Sequence, residues 1–166
     1  MQPANHHLAE FNRGVLRHDW DDPRVAEFVN NLDMVNGVAA RTDGFIWRLD
    51  DDAMDAAQTD AAGVLGGDPR TASTLSVWRD VGALEHFVWN TVHRKFYERK
   101  DEWYAPTTDL RMVLWWVPVG HRPTLAEAVE RFDHLNAHGD SDFAFGWAHA
   151  KDTRLWQSAQ CDLNVA

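Results

Sequence analysis

The sequence predicts an α+β domain built on an antiparallel sheet, and three observations predict it. Gly44–Leu49 and Met112–Val119 are strand-length apolar runs rich in aromatic and β-branched residues. Pro23–Ala40 and Val81–Trp103 instead carry apolar residues at helical spacing. Read end to end, the elements come in the order β-α-β-β-α-β-α-β.

His6–Asn12 alternates weakly and is read as the first strand, with Leu8, Glu10 and Asn12 on one face and His7, Ala9 and Phe11 on the other. Asp22-Pro23 opens a helix, with Asp as N-cap and Pro at the first helical position. Val25, Phe28, Val29, Leu32, Val35 and Ala39 form its apolar stripe, to about Ala40. Gly44–Leu49 follows as a strand with Phe45, Trp47 and Leu49 on one face. Asp50–Thr71 is a breaker-rich connection, a lid or a bulge, with a helical turn within Ala53–Leu65. Ser73–Arg79 is the next strand. Val81–Trp103 is read as one long helix. Arg111–Pro118 is apolar on both faces, which predicts a central strand covered on both sides. Thr124-Leu-Ala-Glu127 matches a capping box and starts a helix to about His138, ended by Gly139. Phe143–Trp147 is a short last strand, and 148–166 is a tail.

The first six elements give the split βαβ order, βαββαβ, of a ferredoxin-like fold, here with an added C-terminal helix and short strand. All 166 residues suit one domain, with a core over about 6–147. Two helices would cover one sheet face. The other face is also aromatic, and a second subunit is its expected cover.

Composition narrows the partners. A formal charge of −10 argues against nucleic acid, which demands a basic face, and against an anionic membrane surface. No run approaches a membrane span and no targeting segment is evident, so a cytoplasmic protein is expected. The single cysteine, Cys161, allows no intrachain disulfide and has no activating His nearby. Nine Trp and nine His in so short a chain suggest an aromatic pocket with polar handles.

Several runs together carry a family likeness: Leu8-Ala-Glu-Phe-Asn12, Asn36-Gly-Val-Ala39, Gly44-Phe-Ile-Trp-Arg48, Leu75-Ser-Val-Trp78, Phe87-Val88 with His93, Glu102-Trp103, Leu114-Trp-Trp-Val-Pro118 with Gly120-His121, and Phe143-Ala-Phe145. The chain resembles an uncharacterised bacterial domain family, a domain of unknown function, related to the antibiotic-biosynthesis monooxygenases. The wider superfamily is the dimeric α+β barrel. That resemblance implies a homodimer of ferredoxin-like subunits, each with a small-molecule pocket between sheet and helices. Cofactor-free monooxygenases, polyketide cyclases, isomerases and haem-dependent enzymes share that architecture, so the chemistry stays open.

Candidate site residues come first from the long helix. On one continuous helix His86, Asn90, His93 and Tyr97 would lie within about 60° of one another. His93 is the candidate base or, if haem is bound, the iron ligand, the position in which the resemblance places one. Arg48, a charge within a strand, is the candidate anchor for a substrate anion, with Asn36 beside it in that role; a structural ion pair is the alternative. Trp47, Trp78, Trp103 and Trp116 are candidate substrate walls, with core packing as the alternative, and Trp115 and Trp116 should face opposite sides. His86, Tyr97 and His121 complete the substrate-binding set. His134 and His138 have a chelating spacing but no evident third ligand.

The expected function is a small-molecule enzyme acting on an aromatic or polyketide-like substrate by proton abstraction, followed by oxygenation, cyclisation or isomerisation. A haem-binding oxygenase or dehydratase and a non-catalytic apolar-ligand-binding dimer are the alternatives.

Overall fold

A computed structural model describes residues 2–150. Cys161 and most of the predicted tail lie outside the described residues. Eleven elements appear in the order β1 (His6–Val15), α1 (Ala26–Val29), α2 (Leu32–Arg41), β2 (Phe45–Arg48), α3 (Asp51–Thr59), β3 (Thr71–Trp78), α4 (Val81–Asn90), α5 (His93–Glu98), α6 (Lys100–Trp103), β4 (Met112–Pro118) and α7 (Leu125–His138). The four strands form one antiparallel sheet in the order β2-β3-β1-β4. The protein is thus a mixed α+β structure. No helix among the described residues is long and apolar enough to cross a membrane.

Register decides what each face carries. In β1, Ala9 and Phe11 point to one side and Leu8 to the other, and their partners follow: Ala9 opposes Val77 and Trp115, whereas Leu8 opposes Trp78 and Trp116. The Ala9 face is sealed by Met54 of α3, Leu65 of the following loop, and Ala128, Phe132 and Leu135 of α7. The Leu8 face packs under Ala39 of α2 and Leu84, Phe87 and Val88 of α4. Both faces are therefore covered by the chain itself. The face left by the sequence to a second subunit is occupied by α3 and α7.

The connection 50–71 accordingly acts as a cover rather than a lid. Asp50 caps α3 by accepting from the Ala53 amide at 2.9 Å, and Leu65 is fully buried. Four other expectations are corrected. β4 lies at a sheet edge and not in its centre, although both its faces are covered. Phe143–Trp147 gives only an isolated bridge, Leu114 to Phe145. The register shift between Phe45 and Trp47 is a bulge, so Phe45 joins the Leu8 face while Trp47 joins the Ala9 face. The helix expected over Pro23–Ala40 is broken around Asn30-Asn31 into α1 and α2, and Asp22 closes a tight turn onto the Arg24 amide instead of capping a helix.

The predicted long helix is broken twice, after Asn90 and at Arg99. Thr91 makes the first break. Its backbone is extended (φ −123°, ψ −176°), its hydroxyl donates to the Phe87 carbonyl at 2.6 Å, and the same oxygen accepts from the His93 amide at 3.2 Å. The hydroxyl thereby ends α4 and seats the start of α5. This break undoes the predicted stripe: His86 and Asn90 stay exposed on α4, while His93 turns inward.

Candidate functional site

The break after α4 opens a cavity of about 340 Å³ between the Leu8 face of the sheet, α4, α5, α6 and the segment before β4. Its walls are largely aromatic: Phe28, Phe87, Phe96, Tyr97, Trp103 and Tyr104 all line it. Phe28 and Trp103 lie 5.7 Å apart and Phe96 and Trp103 5.9 Å, forming one continuous ring layer.

Glu10 of β1 lines this cavity and is buried, with 5 % exposure. Both carboxyl oxygens are held. Asn12 Nδ2 donates to Oε1 at 2.9 Å, and Ser76 Oγ donates to Oε2 at 2.8 Å. Cross-strand register causes the second bond, because Glu10 and Ser76 are direct partners on β1 and β3. Ser76 in turn accepts from Trp78 Nε1 at 3.0 Å. Burial pushes the Glu10 carboxyl up to about 7, and the bonds from Asn12 and Ser76 only partly oppose it. At neutral pH this group exchanges a proton readily.

His93, at the start of α5, lines the same cavity. Its ring packs 4.6 Å from that of Phe87 and 6.2 Å from that of Tyr97. Burial holds its pKa below the usual value, against a weaker opposing bond to Val88, so the imidazole is neutral near pH 7. Nδ1 lies 3.4 Å from the Val88 carbonyl, which only accepts. That contact assigns the proton to Nδ1 and leaves Nε2 with a lone pair.

Cationic groups complete the lining. Arg111 sits just before β4; its Nη2 donates to the Ala105 carbonyl at 2.8 Å and its guanidinium lies over the Tyr104 ring at 5.5 Å. Lys100 Nζ lies over the Tyr97 ring at 4.9 Å. Burial raises the pKa of both Tyr97 and Tyr104, so both phenols stay protonated.

Of the residues singled out in the sequence, His93, Tyr97 and Trp103 meet in the cavity. The others lie elsewhere. Arg48 forms a two-pronged pair with Asp51 at 2.7 and 2.9 Å, and Asn36 approaches the same carboxylate at 3.5 Å, so these three make a cluster at the start of α3. Trp47 is on the opposite sheet face, near Arg122. Trp78 is core, stacked 5.2 Å from the cavity-lining Phe87 and bonded to Ser76, and is not itself a lining residue. Trp116 packs on Phe145, and Trp115 on the other face donates to Glu127 at 2.9 Å. His121 pairs with the same Glu127 at 2.8 Å, so the side chain expected to close a capping box is turned to these two partners. His86 is exposed. His134 and His138 lie ring to ring at 4.7 Å, and no group of three or more possible metal ligands occurs among the described residues.

The sequence reading passed over Glu10, Arg111 and Tyr104 as site residues. The signal for Glu10 was present: it is a carboxyl set between Ala9 and Phe11, two residues after Leu8, within a predicted strand. Tyr104 lies outside any predicted element, and Arg111 stands at the first position of the predicted strand Arg111–Pro118, where a charge carries no such signal.

The family model described as a domain of unknown function (DUF3291) matches residues 7–161. No curated protein matches the chain. A solved structure, the NE2512 protein of unknown function from Nitrosomonas europaea, aligns with a TM-score of 0.43 and 11 % identity, covering 74 % of this chain and 97 % of its own.

Proposed function

The chain belongs to the DUF3291 family of unknown function, and we propose that it is a small-molecule enzyme whose reaction begins with proton abstraction by Glu10. The observation that carries this reading is a buried carboxyl, tuned to about 7, in the floor of an aromatic cavity. An aromatic or polyketide-like carbon acid would lie among the rings. Ionised Glu10 takes the proton from carbon, and the C–H electron pair remains on the substrate as an enolate. Asn12 and Ser76 hold the carboxyl in place throughout. Tyr97 is a lining donor available to the enolate oxygen. Reprotonation at a second carbon gives isomerisation, and attack on an internal carbonyl gives cyclisation; both balance without a co-reactant. Oxygenation would consume dioxygen.

With α3 taken as an insertion between β2 and β3, the element order and the β2-β3-β1-β4 sheet support a ferredoxin-like core within this reading. Kinship with the antibiotic-biosynthesis monooxygenases rests on the sequence runs alone. A homodimer, if formed, would use a surface other than the face under α3 and α7.

Haem fits the site poorly. The cavity is at the small end of the roughly 300–1,000 Å³ usual for small-ligand pockets, and the Phe87 ring packs against His93 at 4.6 Å. That volume leaves little room for a tetrapyrrole.

The test is solvent exchange. Aromatic and β-dicarbonyl carbon acids are incubated with the protein in D2O and followed by NMR. Deuterium incorporation should rise with pH through about 7 and fall by about a hundredfold or more in Glu10→Gln. Binding without exchange in the wild type would make the protein a carrier. Exchange unaffected in Glu10→Gln would remove Glu10 from the chemistry.

A further inference from the structure

Arg111 is the least satisfied charged group around the cavity. Its Nη2 is engaged by Ala105, but Nη1 is buried and has no hydrogen-bond partner among the described residues. The nearest carboxylate, Asp101, is 3.7 Å from Nη2 and largely exposed, so it neutralises the guanidinium weakly. A weakly neutralised guanidinium on the wall of an aromatic cavity favours an anionic occupant. Lys100, shared with the same Asp101 at 3.9 Å, adds positive potential to the same wall. Glu10 of β1 lines the same cavity, a carboxyl that would repel a second anion placed against it.

We infer that the cavity takes a monoanionic aromatic molecule, one or two fused rings bearing a single carboxylate, with Arg111 holding that carboxylate and the ring lying between it and Glu10. This deepens the proposed function and rests on its reading of the cavity as a small-molecule site. An Arg fork suits a planar carboxylate. The walls supplied by Phe28, Phe96, Trp103 and Tyr104 suit a flat ring, and about 340 Å³ limits its size. A phosphate dianion is disfavoured, because the carboxyl of Glu10 lines the same small space.

The experiment compares 2-naphthoate with its neutral isostere 2-naphthamide, titrated against full-length protein and followed by tryptophan fluorescence and calorimetry. The wild type should bind the acid about tenfold or more tightly than the amide. Arg111→Gln should bring the two affinities together, Arg111→Lys should keep a reduced preference, and Glu10→Gln, which removes a repelling carboxyl, should raise the preference. Equal affinity for acid and amide in the wild type overturns the inference, while leaving a small-molecule site for the proposed chemistry. A preference that survives in Arg111→Gln assigns the anion to another group and overturns it too. If neither compound binds, both the inference and the wider reading of the cavity fail. The wild-type comparison stands even where Arg111→Gln, which loses its bond to Ala105, does not fold.

Discussion

Ser76 donates its hydroxyl hydrogen to Glu10 Oε2 at 2.8 Å while accepting the indole N–H of Trp78 at 3.0 Å. One small side chain thus links the cavity's carboxyl to the buried core, since Trp78 also stacks on Phe87 beneath His93. The link follows from register: Glu10 and Ser76 are cross-strand partners, and Trp78 lies two residues on along the same face of β3. Removing the hydroxyl in Ser76→Ala strips one donor from the carboxylate and orphans a buried indole N–H. A loss of about 1–3 kcal/mol is expected in urea denaturation. The pH at which Glu10-dependent exchange reaches half its maximum should also move upward, because the lost bond favoured the ionised form. A variant that loses stability with an unmoved pH profile would separate Ser76 from the titration of Glu10.

Glu10 should make stability fall as pH rises. Its folded-state pKa, about 7, lies above the ordinary 4.5, so between these values the folded protein binds more protons than the unfolded chain. Below about 4.5 both states are protonated and the group is neutral to stability in that sense. Above about 7 the folded state carries a buried carboxylate, at a cost of up to about 3 kcal/mol. Glu10→Gln should therefore be more stable than the wild type at about pH 8.5 by about 1–3 kcal/mol, with the gap closing toward about pH 4.5. Paired denaturation curves across that range check it, and a pH-independent gap would contradict the burial argument.

His93 should act in the opposite direction. Burial lowers its folded-state pKa below 6.5, so as pH falls the unfolded chain takes up its proton first. Its contribution is present above about 6.5 and is lost as pH falls toward the folded-state value. In His93→Gln this acid-side loss should disappear, leaving a flatter stability profile below 6.5, read by thermal melts at closely spaced pH. NMR of the wild-type imidazole should show Nδ1 protonated at neutral pH, from its contact with the Val88 carbonyl.

The contrast between Glu10 and His93 shows what could be read in the sequence. The strands were legible because aromatic and β-branched residues alternate, and α7 was legible from Thr124 and Gly139 at its ends. His93 was legible as a chemically notable side chain, but its direction was not. That direction depends on Thr91, whose hydroxyl ends a helix that the apolar spacing would have continued through residue 103. Likewise, nothing local marks Ile46 as the bulge that sends Phe45 and Trp47 to opposite faces. Arg48 looked like an anion anchor because strand charges need partners; its partner, Asp51, begins the next helix three residues later. Cover for the second sheet face was sought in another subunit because packing between α3, α7 and the sheet is long-range information. Periodicity finds an apolar face but does not name what lies on it.

Gly14 fixes where Tyr104 sits, and hence one wall of the cavity. Gly14 belongs to β1, opposite Ala72, and a Cβ there would stand 2.5 Å from Tyr104 Cδ1 and 2.7 Å from Cε1. The ring has little freedom to retreat, because Phe28 meets it edge-on at 5.4 Å and the Arg111 guanidinium lies above it. Gly14→Ala should therefore destabilise by about 1–3 kcal/mol, as overpacking does, and should weaken binding of any ring-containing ligand by displacing Tyr104. Gly37→Ala is the control. Its Cβ would meet only the flexible end of Arg41, at 3.3 Å, and within α2 alanine should be neutral to stabilising, by up to about 1 kcal/mol. Trimming the ring in a Gly14→Ala, Tyr104→Leu double variant should return part of the lost stability, because the second substitution removes the atoms the new methyl group strikes. Additive losses in the double variant would show that the effect of Gly14→Ala arises in the strand and not at Tyr104.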